Sequence, residues 1–276
     1  LPGQFKGRDV AGYMLMEVET ARQRGELTDE EVTAFEDAAC PTPGSCAMLG
    51  TANTMCCLSE AIGMTLPGTA TIPATDPARK ETARMAGRQV MLMLKEGIRA
   101  RDIITRAAIE NGIKVVLAMG GSTNAVLHIP AIAHEAGLSG VSLELFDQLS
   151  RTTPHITAIM PASRYSVVHF HQAGGVPALM KELSPLLDME VLTVTGQSVR
   201  NNLAEARGAD GTLIRPLSDP IHATGGVAIL GGNLAPEGCV AKLAAIPSHL
   251  LHFSGPARVF DGQAAAIEAI LAGQVR

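Results

Sequence analysis

Apolar positions along this chain recur mainly with helical spacing, and short β-prone runs take over towards the C-terminus. Helical periodicity covers about 14–24. Thr28 followed by Glu31 is a capping box that opens a second helix, which Pro41 and Pro43 stop after about Ala39. Met55, Leu58 and Ile62 share one face and predict a helix over 54–64, ended by Leu66-Pro67-Gly68. A long helix over about 79–96 comes next, with Met85, Val90, Leu92 and Met93 as its buried side. Another spans about 101–111, with Gly112 as its C-cap. Helices over 142–149, 169–183 and about 262–272 complete the set, and the Gly-rich residues 1–12 read as a loop.

Residues 114–119, Lys114-Val-Val-Leu-Ala-Met119, form the β-branched apolar run expected of a buried parallel strand. Gly120-Gly-Ser-Thr-Asn124 and an apolar helix to about Ala136 follow at once. Strand, Gly-rich turn and helix make a βα unit, whose turn lies at the sheet edge where ligands gather. After about Leu187, short β-prone runs at 190–195, 212–215, 226–230 and 239–243 alternate with Gly, Asp, Asn and Pro turns. Evenly spaced short strands predict a barrel or sandwich. The expected architecture is therefore α/β. An α/β domain over 1–186, with a buried and mostly parallel sheet flanked by helices, precedes part of a β-rich, barrel-like domain over 187–276.

Composition narrows the function. The 276 residues are 46% hydrophobic with no Trp, so the core is aliphatic, in the manner of cytosolic α/β enzymes. A net charge of −5 and sparse Lys/Arg clusters argue against nucleic acid as partner. No apolar run reaches the ~18–20 residues of a membrane span, and the N-terminal residues lack the basic-then-apolar pattern of a signal peptide. Five cysteines at irregular spacing do not make a secreted disulfide framework, which points to the cytoplasm. The chain opens without Met and stops straight after a helical pattern, so it reads as a piece of something longer.

Two turns carry candidate chemistry. Cys40-Pro-Thr-Pro-Gly-Ser-Cys46 places two thiols in a loop that Pro and Gly keep irregular. Core burial is the usual fate of a cysteine. Otherwise the thiol could be a nucleophile, or could give one thiolate to an iron–sulfur cluster, and spacing alone does not choose. The spacing does not fit zinc. Gly50-Thr-Ala-Asn-Thr54 at a helix start suits a carboxylate or phosphate, or is an ordinary N-cap by Asn53 or Thr54. Gly120–Asn124 is neither a dinucleotide fingerprint nor a P-loop. His169 and His171 diverge on a helix, and His128 and His134 read as structural or surface groups. Core packing is expected for at least one of Cys56 and Cys57, and for Cys239. Glu237 reads as an exposed turn carboxylate.

Several stretches together resemble the dihydroxy-acid dehydratase/phosphogluconate dehydratase family, which includes sugar-acid dehydratases. They are Leu1-Pro-Gly-Gln-Phe-Lys-Gly-Arg8, Pro43-Gly-Ser-Cys-Ala-Met-Leu-Gly-Thr-Ala-Asn-Thr-Met55, Glu60-Ala-Ile-Gly-Met-Thr-Leu-Pro-Gly68 and Met119-Gly-Gly-Ser-Thr-Asn-Ala-Val-Leu-His128. Ala173-Gly-Gly-Val-Pro-Ala178, Leu192-Thr-Val-Thr-Gly196, Gly232-Asn-Leu-Ala-Pro-Glu-Gly238 and Gly255-Pro-Ala-Arg-Val-Phe260 follow in family order. The resemblance implies dehydration of a 2,3-dihydroxy carboxylic acid to a 2-keto acid. An iron–sulfur cluster, 2Fe–2S rather than 4Fe–4S, and Mg²⁺ would act as Lewis acids.

It implies Cys46 as one of three cluster ligands, leaves Cys40 unassigned, and makes Thr51, Asn53, Thr54, Ser122, Thr123 and Asn124 candidates for the substrate pocket. The other two cluster cysteines, a Mg²⁺ acid and a carbamylated lysine belong to a family segment before Leu1, and the later Mg²⁺ glutamate and the serine base to one after Arg276, so no catalytic residue is assigned here. The chain alone is expected neither to hold a cluster nor to dehydrate anything. A small hydroxy acid is the implied partner, with a homodimer in the full-length form. Dihydroxy-acid dehydratase, of branched-chain amino-acid biosynthesis, is favoured over a sugar-acid (aldonate) dehydratase. Two rivals of other classes are a metal-free anion-binding module using both Gly-rich turns and an enzyme with Cys46 as nucleophile.

Overall fold

Helix α6 (Arg106–Ala118) runs through the centre of the chain in a computed structural model that describes residues 1–275. Thr105 caps it by accepting the Ala108 N–H, and most of the residues that follow are buried, from Ala108 to Ala118. The 114–119 run expected as a parallel strand is therefore the second half of this helix. Gly112, expected as a C-cap, lies in its interior. Val115 to Ala118 are all buried with no polar position among them, so this β-branched run looks locally like a central strand. Gly112 lets α3 (Thr51–Ala61) approach closely: a Cβ there would lie 2.6 Å from Ile62 Cγ2 and from Leu58 Cδ1. The short α5 (Ala100–Ile103) precedes α6.

Around α6 pack α3, α7 (Ala125–Glu135) and α8 (Leu143–Thr152), and α10 (Gly175–Glu182) packs on α3. One aliphatic core runs from Leu49 through Ile109, Ile113, Leu117, Phe146 and Phe170 to Ile214 and Val227. Asn111, fully buried, replaces a peptide partner: its amide donates to the Asp188 carbonyl at 2.8 Å and accepts the Asp188 N–H at 2.9 Å. The single helix expected over 169–183 is two, α9 (Val167–Gln172) and α10, parted at Gly174 with φ 107°.

Residues 1–12 are not a simple loop. Strands β1 (Gly3–Phe5) and β2 (Arg8–Val10) form an antiparallel hairpin turned at Lys6-Gly7. It packs on α1 (Leu15–Gln23) and α2 (Asp29–Ala39), with Phe5 edge-on to Phe35 at 5.3 Å. The capping box at Thr28 and Glu31 forms as expected.

The long helix α4 (Ala78–Glu96) is where expected, but none of its residues is buried, and Met85, Val90 and Leu92 are exposed. Periodicity reports which residues share a face, not whether anything lies opposite. That side opens onto an apolar groove of about 360 Å³ shared with Met64, Leu66 and Val194.

No parallel strand pairing occurs among the described residues. The second sheet is the antiparallel hairpin of β3 (Ala228–Gly232) and β4 (Ala235–Ala241). The runs at 190–195 and 212–215 contribute only isolated bridges, Leu192 to Ser198 and Thr157 to Ile214. Val191, Val194, Leu213 and Ile214 are buried against helices, which satisfies their apolar side chains without a barrel. Cys239, expected in a core, is exposed on β4. Short α11 (Val199–Asn202) and then α12 (Gln263–Leu271) complete the helices. Among the described residues no helix is long and apolar enough to cross a membrane.

Candidate functional site

The two turns singled out in the sequence meet. Helix α3 starts after Gly50, whose extended backbone precedes Thr51, and no side chain caps it, so neither Asn53 nor Thr54 is the N-cap. Thr51 Oγ1 lies 3.1 Å from Ser122 Oγ and accepts the Asn124 side-chain amide at 2.7 Å. Thr54, fully buried, accepts the Ser122 backbone N–H at 3.0 Å. Gly121 permits this approach: a Cβ there would lie 2.9 Å from both Thr54 Cγ2 and Val116 Cγ1. Thr51, Ser122 and Thr123 are half-buried and Asn124 is exposed, so a rim of hydroxyl and amide groups faces outward.

Asn53 points the other way. Its amide donates to the carbonyls of Cys46 and Met48, both at 2.7 Å, and its oxygen accepts the Ser45 hydroxyl at 2.9 Å. All its polar atoms are thus committed to shaping the Cys46 loop. Backbone bonds from Leu49 N–H to Met160 and from Val167 N–H to Ala47 fix the same loop to the core. Cys46 and Cys40 are exposed, against the usual burial of cysteine. The Cys46 Sγ reaches only the Met48 carbonyl, at 4.0 Å, and no imidazole bonds it among the described residues. Cys46 shares with Cys56, Asn53, Thr71 and Arg79 a cavity of about 90 Å³. Of the adjacent pair, Cys57 is buried and Cys56 exposed, so one packs in the core.

The histidines of α9 part company. His169 Nδ1 accepts the Ser166 N–H at 3.0 Å and closes that helix's N-terminus, while His171 Nδ1 pairs with the Thr71 hydroxyl at 3.0 Å. Three groups around the site were not singled out by pattern. Glu60, buried on α3, accepts backbone N–H groups of Gly68 at 2.7 Å and Ala70 at 2.9 Å, which ties down the segment lining the Cys46 cavity. Burial pushes its carboxyl up to about 7, against the downward pull of those N–H groups.

His155 is buried beneath the Gly120 turn, where a Cβ on Gly120 would lie 2.8 Å from its Nε2. Its Nε2–H donates to the Thr157 carbonyl at 2.9 Å, and its ring stacks on His222 at 5.5 Å. Burial holds it down at about 4, so the imidazole is neutral near pH 7. Lys242, just past β4, donates to the Leu49 carbonyl at 3.2 Å. A lysine inside the otherwise apolar 239–243 run was the signal available for it.

The family comparisons cover nearly the whole chain. Residues 4–202 match the dihydroxy-acid/6-phosphogluconate dehydratase N-terminal domain, and residues 212–276 match the C-terminal domain. Among similar curated proteins is a dihydroxy-acid dehydratase from Methanothermobacter thermautotrophicus, 43% identical over 275 residues, all of this chain and 50% of the relative. Another, from Desulfosudis oleivorans, is 45% identical over 282 residues, again covering 100% of this chain and 50% of the relative. A third, from Parvibaculum lavamentivorans, is 45% identical over 273 residues, 98% of this chain and 47% of the relative. The chain spans about half the length of the curated relatives it matches. With matches over both family domains and the two motif-bearing turns joined in one site, the chain belongs to the dihydroxy-acid/6-phosphogluconate dehydratase family.

Proposed function

We propose that this chain is the part of a hydro-lyase that carries the Cys46 loop and the adjoining polar rim, and that the whole enzyme dehydrates a 2,3-dihydroxy carboxylic acid to a 2-keto acid. One observation carries the reading: Thr51 and Ser122, 71 residues apart and each inside a motif of the family resemblance, pair in a rim that begins one residue after Gly50, where a Cβ would lie 3.9 Å from the exposed Cys46 thiol. The similar proteins named dihydroxy-acid dehydratase favour a branched dihydroxy acid as substrate over an aldonate.

The iron–sulfur cluster and Mg²⁺ belong to this proposal for the whole enzyme. Cys46 offers a single thiolate, and among the described residues no three His, Cys, Asp or Glu side chains gather to hold a metal. These residues alone therefore do not fit a cluster, and further ligands have to come from elsewhere. A homodimer and a cytoplasmic location are part of the same reading.

The chain's own residues hold and orient. Asn53 sets the loop so that the Cys46 thiol stays exposed. Thr51, Ser122 and Asn124 present donors and acceptors that can order the hydroxyls of a polyhydroxy acid, which shortens the search for a reactive geometry.

The whole enzyme, purified without oxygen, tests the proposal through 2-keto acid formation from a branched dihydroxy acid and from an aldonate, with iron and sulfide measured alongside. Cluster and turnover in the wild type, both lost in Cys46→Ala, are expected. A wild type without cluster or turnover overturns the reading, and a Cys46→Ala variant that keeps its cluster but loses turnover makes Cys46 a nucleophile instead.

A further inference from the structure

Helix α4 stands off the core, and the space between them is a groove. None of its 19 residues is buried, yet the Gln89 amide donates to the Val194 carbonyl at 2.7 Å, 105 residues away, and holds the helix in place. Thr82, Ala86, Val90 and Met93 form one wall at helical spacing. Met64, Leu66, Ala70 and Val194 face them across about 360 Å³, within the range of small-molecule sites. From Arg79 to Met93 the α4 wall is about 21 Å long, at a rise of about 1.5 Å per residue.

Polarity is unequal along this length. The Ser59, Thr69 and Thr82 hydroxyls already donate to the carbonyls of Met55, Leu66 and Ala78. Arg79 is the one charged residue of the lining, and no carboxylate pairs with it among the described residues. Glu81, its neighbour on α4, is taken by Arg84 at 3.2 Å and Arg88 at 3.7 Å, and Asp76 accepts the Ala78 N–H at 2.8 Å. Arg79 also lies in the first turn of α4, where the helix dipole adds to its positive potential. The other end carries Val90, Met93 and Val194. A polyhydroxy ligand would find few free donors and acceptors for its hydroxyls here, which is costly. A long hydrocarbon with one anionic head meets no such penalty.

We propose that the α4 groove binds an unbranched aliphatic carboxylate of fatty-acid type, its chain along α4 and its head on Arg79. None of the Thr51, Ser122 and Asn124 rim lines this groove, and the inference stands without the dehydratase reading.

Calorimetry on the full chain with octanoate and with uncharged octan-1-ol separates head from chain. Arg79→Met should weaken octanoate about tenfold or more and leave octanol within about twofold. Ala86→Phe, which fills the groove, should weaken both about tenfold or more. From butanoate to octanoate, affinity should rise about three- to fourfold per methylene. A wild type that does not bind octanoate, an affinity flat with chain length, or binding untouched by both substitutions overturns the proposal.

The unaltered protein gives a second readout. Cys56 lines the groove and is exposed, whereas Cys40 and Cys239 are exposed and line neither this groove nor the Cys46 cavity. Octanoate should slow iodoacetamide labelling of Cys56 severalfold and leave the other two unchanged, as peptide mapping reads. Equal rates at Cys56 with and without octanoate overturn the proposal. A chain that sediments as a dimer, that Ala86→Phe makes monomeric and that takes no octanoate gives the groove to a second copy instead.

Discussion

The Thr51 hydroxyl lies 3.1 Å from the Ser122 hydroxyl, so the first residue of one helix and the turn before another share a hydrogen bond across 71 residues of sequence. A double-mutant cycle with Thr51→Val and Ser122→Ala should return a coupling of about 1 kcal/mol in chemical unfolding of the full chain. Additive effects would mean that the two hydroxyls prefer water.

Thr54→Val should cost more than either of those changes. Thr54 is fully buried and accepts the Ser122 backbone N–H, which the valine leaves unpaired. A loss of roughly 1–3 kcal/mol is expected. The unfolding midpoint reads it.

Gly121→Ala tests the close approach of the two turns. The added methyl would lie 2.9 Å from Thr54 Cγ2 and Val116 Cγ1 and 3.3 Å from the Val116 carbonyl. Overpacking of this kind costs about 1–3 kcal/mol. A variant as stable as the wild type would show that the turn can retreat.

The residues of these turns were legible because their polarity stood out against apolar surroundings, and so were the helices with explicit ends. Thr28 and Glu31 announce α2, and Pro and Gly bracket α3 and α4. The centre was misread for a physical reason: in α6 burial is so complete that Val115, Val116 and Leu117 carry no alternation to separate helix from strand. The exposed side of α4 fails in the opposite way, since an apolar stripe is written identically whether or not it meets a partner. Glu60, His155 and Lys242 are single polar residues in apolar runs, and only the fold reveals what each one bonds.

Glu60 and His155 predict opposing pH dependences. Glu60 is raised from 4.5 to about 7, so its stabilising contribution is full below about 4.5 and is lost as pH rises through 7. His155 is lowered from 6.5 to about 4, so acidification below 6.5 charges it only in the unfolded chain, and stability falls towards pH 4. The two contributions offset each other over the shared window. Glu60→Gln should therefore lose stability on acidification from pH 6.5 more steeply than the wild type, and His155→Gln should gain it as pH falls from 7. Denaturant midpoints at a series of pH values give the slopes, and identical slopes in all three proteins would contradict the assignment.

Thiol labelling should divide the cysteines four to one. Cys40, Cys46, Cys56 and Cys239 are exposed and Cys57 is buried. Iodoacetamide should modify the first four in the native chain and reach Cys57 only on unfolding, as peptide mapping can read. Burial also raises the Cys57 thiol pKa well above its usual value, which slows its reaction further.

Helix α3 carries Thr51 and Thr54 at its start, Leu58 against Gly112 in the middle and Glu60 at its end, all within 11 residues. At 1.5 Å per residue it is a strut of about 16 Å, too short to bend. Core and rim therefore cannot drift independently over evolutionary time. A substitution at Leu58 or Gly112 tilts the strut and displaces Thr51 from Ser122, so in a saturation screen scored by activity these two packing positions will be as intolerant as the polar residues they support.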